Sequence, residues 1–219
     1  GPNGAGKSTL INLTCGVLQP DRGNVYLHGK NLTRLRPHEA LRRGIGRTFQ
    51  EVRPFHFLST LENVQMAFPR EQWENPWRVL FSLSRMGPAE RQSRKRAMAL
   101  LERVGLAGEA ERPARELPFG QQKLLALARL MATESEVLLL DEPTTGLEPA
   151  LIPQVSQIVT ELAQAGKTVL IVEHDVDVVQ QVCSWVVVLQ SRVIAQGTCG
   201  EVLRNELVIR EYLGRLYGA

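Results

Sequence analysis

The chain opens on Gly1-Pro2-Asn3-Gly4-Ala5-Gly6-Lys7-Ser8-Thr9, and this stretch limits the available folds more than any other. Two glycines separated by four residues, then lysine and serine, are the spacing of a P-loop, which sits between a strand and a helix. Glycines let the backbone turn sharply and bring several N–H groups to one anion. Lys7 adds a point charge for phosphates and Ser8 a hydroxyl for a divalent cation. The run Leu10 to Val17 reads as a helix whose positive N-terminal end faces the phosphates. A chain with this loop is expected to be α/β, with a parallel sheet.

The rest of the sequence agrees with that class. Its 219 residues hold one large α/β domain with a satellite, or two small domains. A net charge of +3 gives no footprint for a nucleic-acid binder. Cys15, Cys183 and Cys199 are far apart and odd in number, so they read as reduced thiols of a cytosolic protein. No apolar run approaches the roughly 18 residues that span a bilayer, so membrane association is expected through a partner.

Strand signals fall at Asn24–His28, Ile45–Gln50, Val137–Leu140, Thr168–Val172 and Trp185–Gln190, with Arg192–Gln196 as a hairpin partner. The apolar runs at Val137 and Thr168 predict parallel strands covered on both faces. Helical spacing predicts Pro37–Arg43, Leu61–Phe68, a helix through Ile152, Val155, Ile158, Val159 and Leu162 that stops at Gly166, and Asp175–Cys183. Short helices near Glu201–Arg204 and Leu207–Leu213 close the chain. From Arg70 to about Pro113 the apolar residues recur only at helical spacing, as at Ala97, Leu100, Leu101 and Val104. This predicts an all-helical satellite inserted between two parts of the core, with Asn75-Pro76 and Gly87-Pro88 marking helix starts. Its basic cluster Arg91, Arg94, Lys95 and Arg96 reads as a solvated helix face, with anionic lipid or a partner as the sharper alternative.

Ligands of a parallel sheet gather beyond the carboxyl ends of its strands. Leu138-Leu139-Leu140 ends in Asp141-Glu142-Pro143, and Leu170-Ile171-Val172 ends in Glu173-His174-Asp175. Phosphate, two carboxylates and an imidazole are therefore expected on one rim. Phosphoryl transfer to water needs charge neutralisation, a metal and a base for the water. Asp141 suits an indirect metal holder, Glu142 a base leaning over the γ-phosphate, and His174 a contact to that same phosphate.

Further matches accompany these: Arg47-Thr48-Phe49-Gln50, Leu117-Pro118-Phe119-Gly120-Gln121-Gln122, Thr144-Thr145-Gly146-Leu147-Glu148-Pro149, and the tail Ile209–Gly214. Together with the P-loop, the strand-end acids and the histidine, they make the sequence resemble an ATP-binding cassette (ABC) subunit of a transporter over nearly its whole length. It is most similar to the ATPases of branched-chain amino acid importers. The resemblance implies a P-loop NTPase (RecA-like) parallel sheet core with an inserted all-helical subdomain and a short C-terminal helical tail. The divisions are 1–69 and 133–199 for the two core parts, 70–132 for the helical subdomain with the signature segment, and 200–219 for the tail.

It also implies ATP and Mg²⁺ as ligands. Gly1, Pro2, Asn3, Gly4, Ala5, Gly6, Lys7, Ser8 and Thr9 would hold ATP, with Ser8, Gln50 and Asp141 at the metal and Glu142, His174 and Gln50 catalytic. Leu117, Pro118, Phe119, Gly120 and Gln121 would cover the ATP of a second cassette subunit, in trans. Gly120 offers no side chain to block close approach, and Gln121 would start a helix whose N-terminus faces the γ-phosphate. The implied partners are that second subunit, integral membrane permeases and a periplasmic substrate-binding protein, with no nucleic acid. The location is the cytoplasmic side of the inner membrane, peripherally attached.

Several features depart from the family pattern. Pro118 and Phe119 replace the signature serine and first glycine, a variant common in the branched-chain group, and Glu148 replaces an aspartate or asparagine. The strand before the P-loop and the aromatic residue that stacks on adenine have no counterpart. The expectation is therefore a truncated copy of a longer protein, unstable or weakly ATP-binding alone. Competing readings are a cassette for urea, amides or lipopolysaccharide export, and a soluble cassette acting on DNA or ribosomes. The last needs a long coiled coil or two cassettes per chain, and neither is present in the sequence.

Overall fold

The computed structural model describes residues 1–48, 54–69 and 87–210. Gln50, the Asn75-Pro76 helix start and the tail beyond Arg210 lie outside those residues.

At the centre is a parallel sheet of three strands, β3 (Ile45–Arg47), β4 (Val137–Asp141) and β5 (Thr168–Val172), in spatial order β3-β4-β5. Before it come α1 (Lys7–Thr14), the short hairpin β1 (Tyr26–Leu27) and β2 (Lys30–Asn31), and α2 (Pro37–Arg42). After β3 come α3 (Thr60–Gln65), α4 (Pro88–Arg103) and α5 (Phe119–Ala132). The helix α6 (Ile152–Gln164) links β4 to β5. The chain continues through α7 (Val176–Val182), the antiparallel pair β6 (Val186–Gln190) and β7 (Arg192–Gly197), α8 (Cys199–Leu203) and α9 (Glu206–Val208).

Alternation along β4 builds two cores at once, because successive side chains of a strand point to opposite faces. Leu138 and Leu140 join the larger core with Leu61 and Val64 of α3, Ala97 and Leu101 of α4, Leu124 to Leu130 of α5, and Val155 to Leu162 of α6. Leu139 faces the other way, to Ile11 and Cys15 of the P-loop helix and to Ala40, Ile45 and Val172. The helical insert and one sheet face thus share a continuous core. Helix α3, placed with the sheet by the division at residue 69, packs on α4 and α5. Its N-cap is a capping box: Ser59 accepts from the amide of Glu62, whose carboxylate accepts from the amide of Ser59 at 2.7 Å. Helix α4 starts where Gly87-Pro88 predicts, with proline at a first-turn position and the stripe Ala97, Leu101 and Val104 fully buried.

Two expectations need correction. Asn24–His28 supplies only two strand residues, Tyr26 and Leu27, because the chain turns at once through His28 and Gly29, both at positive φ. The apolar run of β5 is not covered on both faces: Leu170 is 38% exposed, and Val172 is the one buried residue of the strand. The basic cluster on α4 is the exposed helix face expected, and two of its members make ion pairs within the chain. Arg94 pairs with Glu111 at 2.5 Å, and Arg96 pairs with Glu134 while lying over the Phe68 ring. Among the described residues, no helix is long and apolar enough to cross a membrane.

Candidate functional site

The P-loop owes its shape to glycine at two left-handed positions, Gly4 (φ +77°) and Gly6 (φ +95°), the latter capping α1. A support invisible in the sequence pattern comes from the β6–β7 hairpin. The amide of Ser191 donates to the Ala5 carbonyl at 3.0 Å. Gly1 lies so close to the hairpin that a Cβ there would sit 1.9 Å from the Leu189 carbonyl oxygen. Lys7 folds back to donate to the carbonyls of Gly1 and Pro2 at 2.7 and 2.8 Å. Burial lowers the pKa of its ammonium, and the charges of Glu142 and Asp141 oppose that shift.

Ser8 and Asp141 meet: the serine hydroxyl donates to Oδ1 of the carboxylate at 3.3 Å. The other oxygen of Asp141 accepts from Arg47 at 3.2 Å, and both side chains are nearly closed to solvent, at 1% and 10% exposed. Arg47 also donates to Asn12 on α1 and lies 3.5 Å from the Cys15 sulfur. One guanidinium therefore ties β3, the P-loop helix and the end of β4 together. In the sequence Arg47 is only a neighbour of Gln50, since no spacing rule links positions so far apart in the chain.

Beyond β4 the backbone turns through Glu142 at φ +52°, a left-handed conformation uncommon for a non-glycine residue. The turn aims the Glu142 carboxylate at the next strand end, where Oε1 lies 2.5 Å from Nε2 of His174. The structure thus brings Ser8, Asp141, Glu142 and His174 to one rim. Two more charged groups grip the same turn. Lys123 of α5 donates to the carbonyls of Glu142 (2.8 Å) and Thr145, and Glu173 accepts from the amide and hydroxyl of Thr144 at 2.9 and 2.6 Å. Burial lowers the pKa of Lys123, while Glu173 and Glu142 oppose the shift. In the sequence Glu173 figures only as the neighbour of His174 at the strand end, and Lys123 carries no signal.

The signature-like segment sits at the start of α5. Pro118 is the N-cap and the helix begins at Phe119, two residues before the expected start at Gln121. Phe119 is half exposed, whereas the Leu117 side chain is buried in the larger core and its carbonyl accepts from Gln122 at 2.8 Å. The missing side chain of Gly120 faces this chain's own Leu151, whose Cδ1 would lie 2.9 Å from a Cβ. Its first physical role is close packing of α5 on the turn after β4. The Gln121 side-chain oxygen is buried with no hydrogen-bond partner. Glu148 is exposed and caps the 3₁₀ turn Pro149–Leu151.

Comparison with known proteins bears on this arrangement. The family model described as ABC transporter matches residues 1–145. The high-affinity branched-chain amino acid transport ATP-binding protein LivG of Salmonella typhimurium is 36% identical over 216 residues, covering 98% of this chain and 85% of that protein. An ATP-binding cassette of an ABC transporter, solved in its ADP conformation, superposes with a TM-score of 0.79 at 34% identity, over 97% of this chain and 85% of that one. A dimeric cassette in a post-hydrolysis state, bound to ADP and Pi, gives a TM-score of 0.74 at 27% identity, over 90% of this chain and 82% of that one.

Proposed function

The chain belongs to the ABC transporter family and is an ATP-binding, ATP-hydrolysing subunit, and from that premise we propose that it drives the import of branched-chain amino acids. The similarity to LivG, which runs over 98% of the chain, supports the cargo. The observation that carries the hydrolytic mechanism is the meeting of Ser8, Asp141, Glu142 and His174 on one rim.

In this reading the loop Gly1–Thr9 and the N-terminal amides of α1 cradle the phosphates, and Lys7 exchanges a loop carbonyl for a phosphate oxygen. Glu142 takes the proton of the attacking water. His174 holds the carboxylate in line and reaches the γ-phosphate. The Ser8 hydroxyl and the Asp141 carboxylate, 3.3 Å apart, are hard oxygen donors of the kind Mg²⁺ prefers. They fit the ion, with Gln50 as a further ligand, and the bound metal would supply charge neutralisation at the phosphates. The post-hydrolysis dimer of a related cassette supports pairing with a second subunit. In that pairing the segment Leu117–Gln121 covers the partner's nucleotide, chiefly through Pro118, Phe119 and Gln121. Permease subunits and a periplasmic receptor complete the assembly, with this chain peripheral on the cytoplasmic face.

The test is ATP hydrolysis and uptake of labelled leucine by the chain assembled with its permeases. Glu142→Gln is expected to bind ATP and to lose nearly all turnover. A wild-type rate in that variant overturns the role of Glu142, and uptake of urea with no leucine uptake overturns the cargo.

A further inference from the structure

The backbone that presents Glu142 is held by two opposite charges on two different elements. Glu142 is left-handed and precedes a proline, an unfavourable combination that neighbouring contacts must maintain. The carbonyls of Glu142 and Thr145 converge on the Lys123 ammonium, at 2.8 Å for Glu142. Between them, Thr144 turns its amide and hydroxyl the other way, onto Oε1 of Glu173. The second oxygen of Glu173 accepts from the amide of His174 at 3.2 Å. Thr144 and Glu173 are both buried, so these bonds act where water competes least. Each partner of the 2.5 Å contact is therefore fixed by one clamp: Glu142 through its own carbonyl, His174 through its own amide.

We infer that Lys123 and Glu173 are positioning residues that hold the Glu142–Thr145 turn, and so set the Glu142 carboxylate against His174. The inference rests on the reading of Glu142 as the base. It also gives α5 a route to the reacting centre. Lys123 lies one helical turn beyond Phe119, with its ammonium 5.5 Å from the centre of that ring. A displacement at the exposed start of α5 thus reaches the carbonyl of Glu142 through one side chain. A bland account would have Lys123 and Glu173 stabilise the fold and nothing more, and the two accounts differ in kinetics.

The experiment measures kcat, KM for ATP and Tm for the assembled transporter carrying Lys123→Met, Glu173→Gln, both together, or Thr144→Val, with Glu142→Gln as the control. Lys123→Met and Glu173→Gln are each expected to lower kcat about tenfold or more with KM within about twofold, since a positioning defect appears in the chemical step. Lys123→Arg, which keeps the cation, is expected to recover much of the loss. The double variant is expected to fall short of the product of the single effects, because both residues hold one turn. Should Lys123→Met fail to fold, Lys123→Gln and Thr144→Val carry the same test. Wild-type kcat in those variants, or kcat and KM worsening in step with a fall in Tm, overturns the inference. If that happens while Glu142→Gln is inactive, only the clamp is lost. An active Glu142→Gln removes the premise and the clamp together.

Discussion

Nε2 of His174 lies 2.5 Å from Oε1 of Glu142, although the two residues belong to different strand ends. The contact sets the direction of the carboxylate. His174→Ala is expected to lower kcat by about 10²-fold or more, in the range of a lost acid–base partner, with ATP affinity nearly unchanged. Equilibrium binding of a labelled nucleotide beside a turnover assay checks it. A parallel loss of affinity would place His174 in binding instead.

Arg47 should be a stability residue with a functional consequence. Its removal leaves the Asp141 carboxylate, 1% exposed, without the guanidinium at 3.2 Å. Breaking one side of a buried pair costs about 3–5 kcal/mol. Arg47→Ala is therefore expected to shift the denaturant midpoint strongly. The double variant Arg47→Ala, Asp141→Asn should regain part of that loss. No recovery in the double variant would contradict the pairing.

Asn63 is fully buried on α3 and works entirely within the backbone. Its oxygen accepts from the amide of Phe55 at 2.8 Å, and its nitrogen donates to the carbonyls of Phe55, Leu58 and Ser59. Asn63→Leu removes the acceptor of the part-buried Phe55 amide and the donor to three carbonyls, a loss of about 1–3 kcal/mol. The expected result is a lower Tm with normal hydrolysis per folded molecule at low temperature. An unchanged Tm would show that the segment rearranges freely.

Two helix caps should give the fold an acid-sensitive component. Glu39 accepts from the Arg36 amide and Glu201 from the Thr198 amide, both at 2.8 Å, and these bonds hold both carboxyls below the ordinary value of 4.5. The unfolded chain therefore takes up these protons first as pH falls. The stabilisation is complete above the ordinary value and disappears as pH drops through the lowered folded values. The Tm gap between wild type and Glu39→Gln or Glu201→Gln should be open at neutral pH and close in acid. A gap independent of pH would refute the assignment.

Elements whose signal is local were legible from sequence. Thr168–Val172 is the strand expected, Val137–Leu140 gains only Asp141, and α6 buries Val155, Ile158, Val159 and Leu162. Their apolar periodicity is set by the layer they belong to. The exposure of Leu170 was not legible, because an apolar run reports that a side chain can be buried and not which neighbours cover it. Lys123, Glu173 and Arg47 escaped for another reason. They act on backbone groups or on carboxylates 19, 29 and 94 positions away, and such pairings leave no periodic trace. The early start of α5 follows from Pro118, which lacks an N–H and so serves as a cap without losing a bond.

Strand β4 carries a consequence of its own. Leu138 and Leu140 are seated among the helices, Leu139 is seated against the P-loop helix, and the same five residues end in Asp141. The strand is a common wall between two rooms, with the proposed site at its far edge. A methyl group removed on the helical side is expected to let that wall shift, and the P-loop side with it. Variation along β4 is therefore constrained from both directions: few substitutions there can weaken the fold without also detuning the reaction.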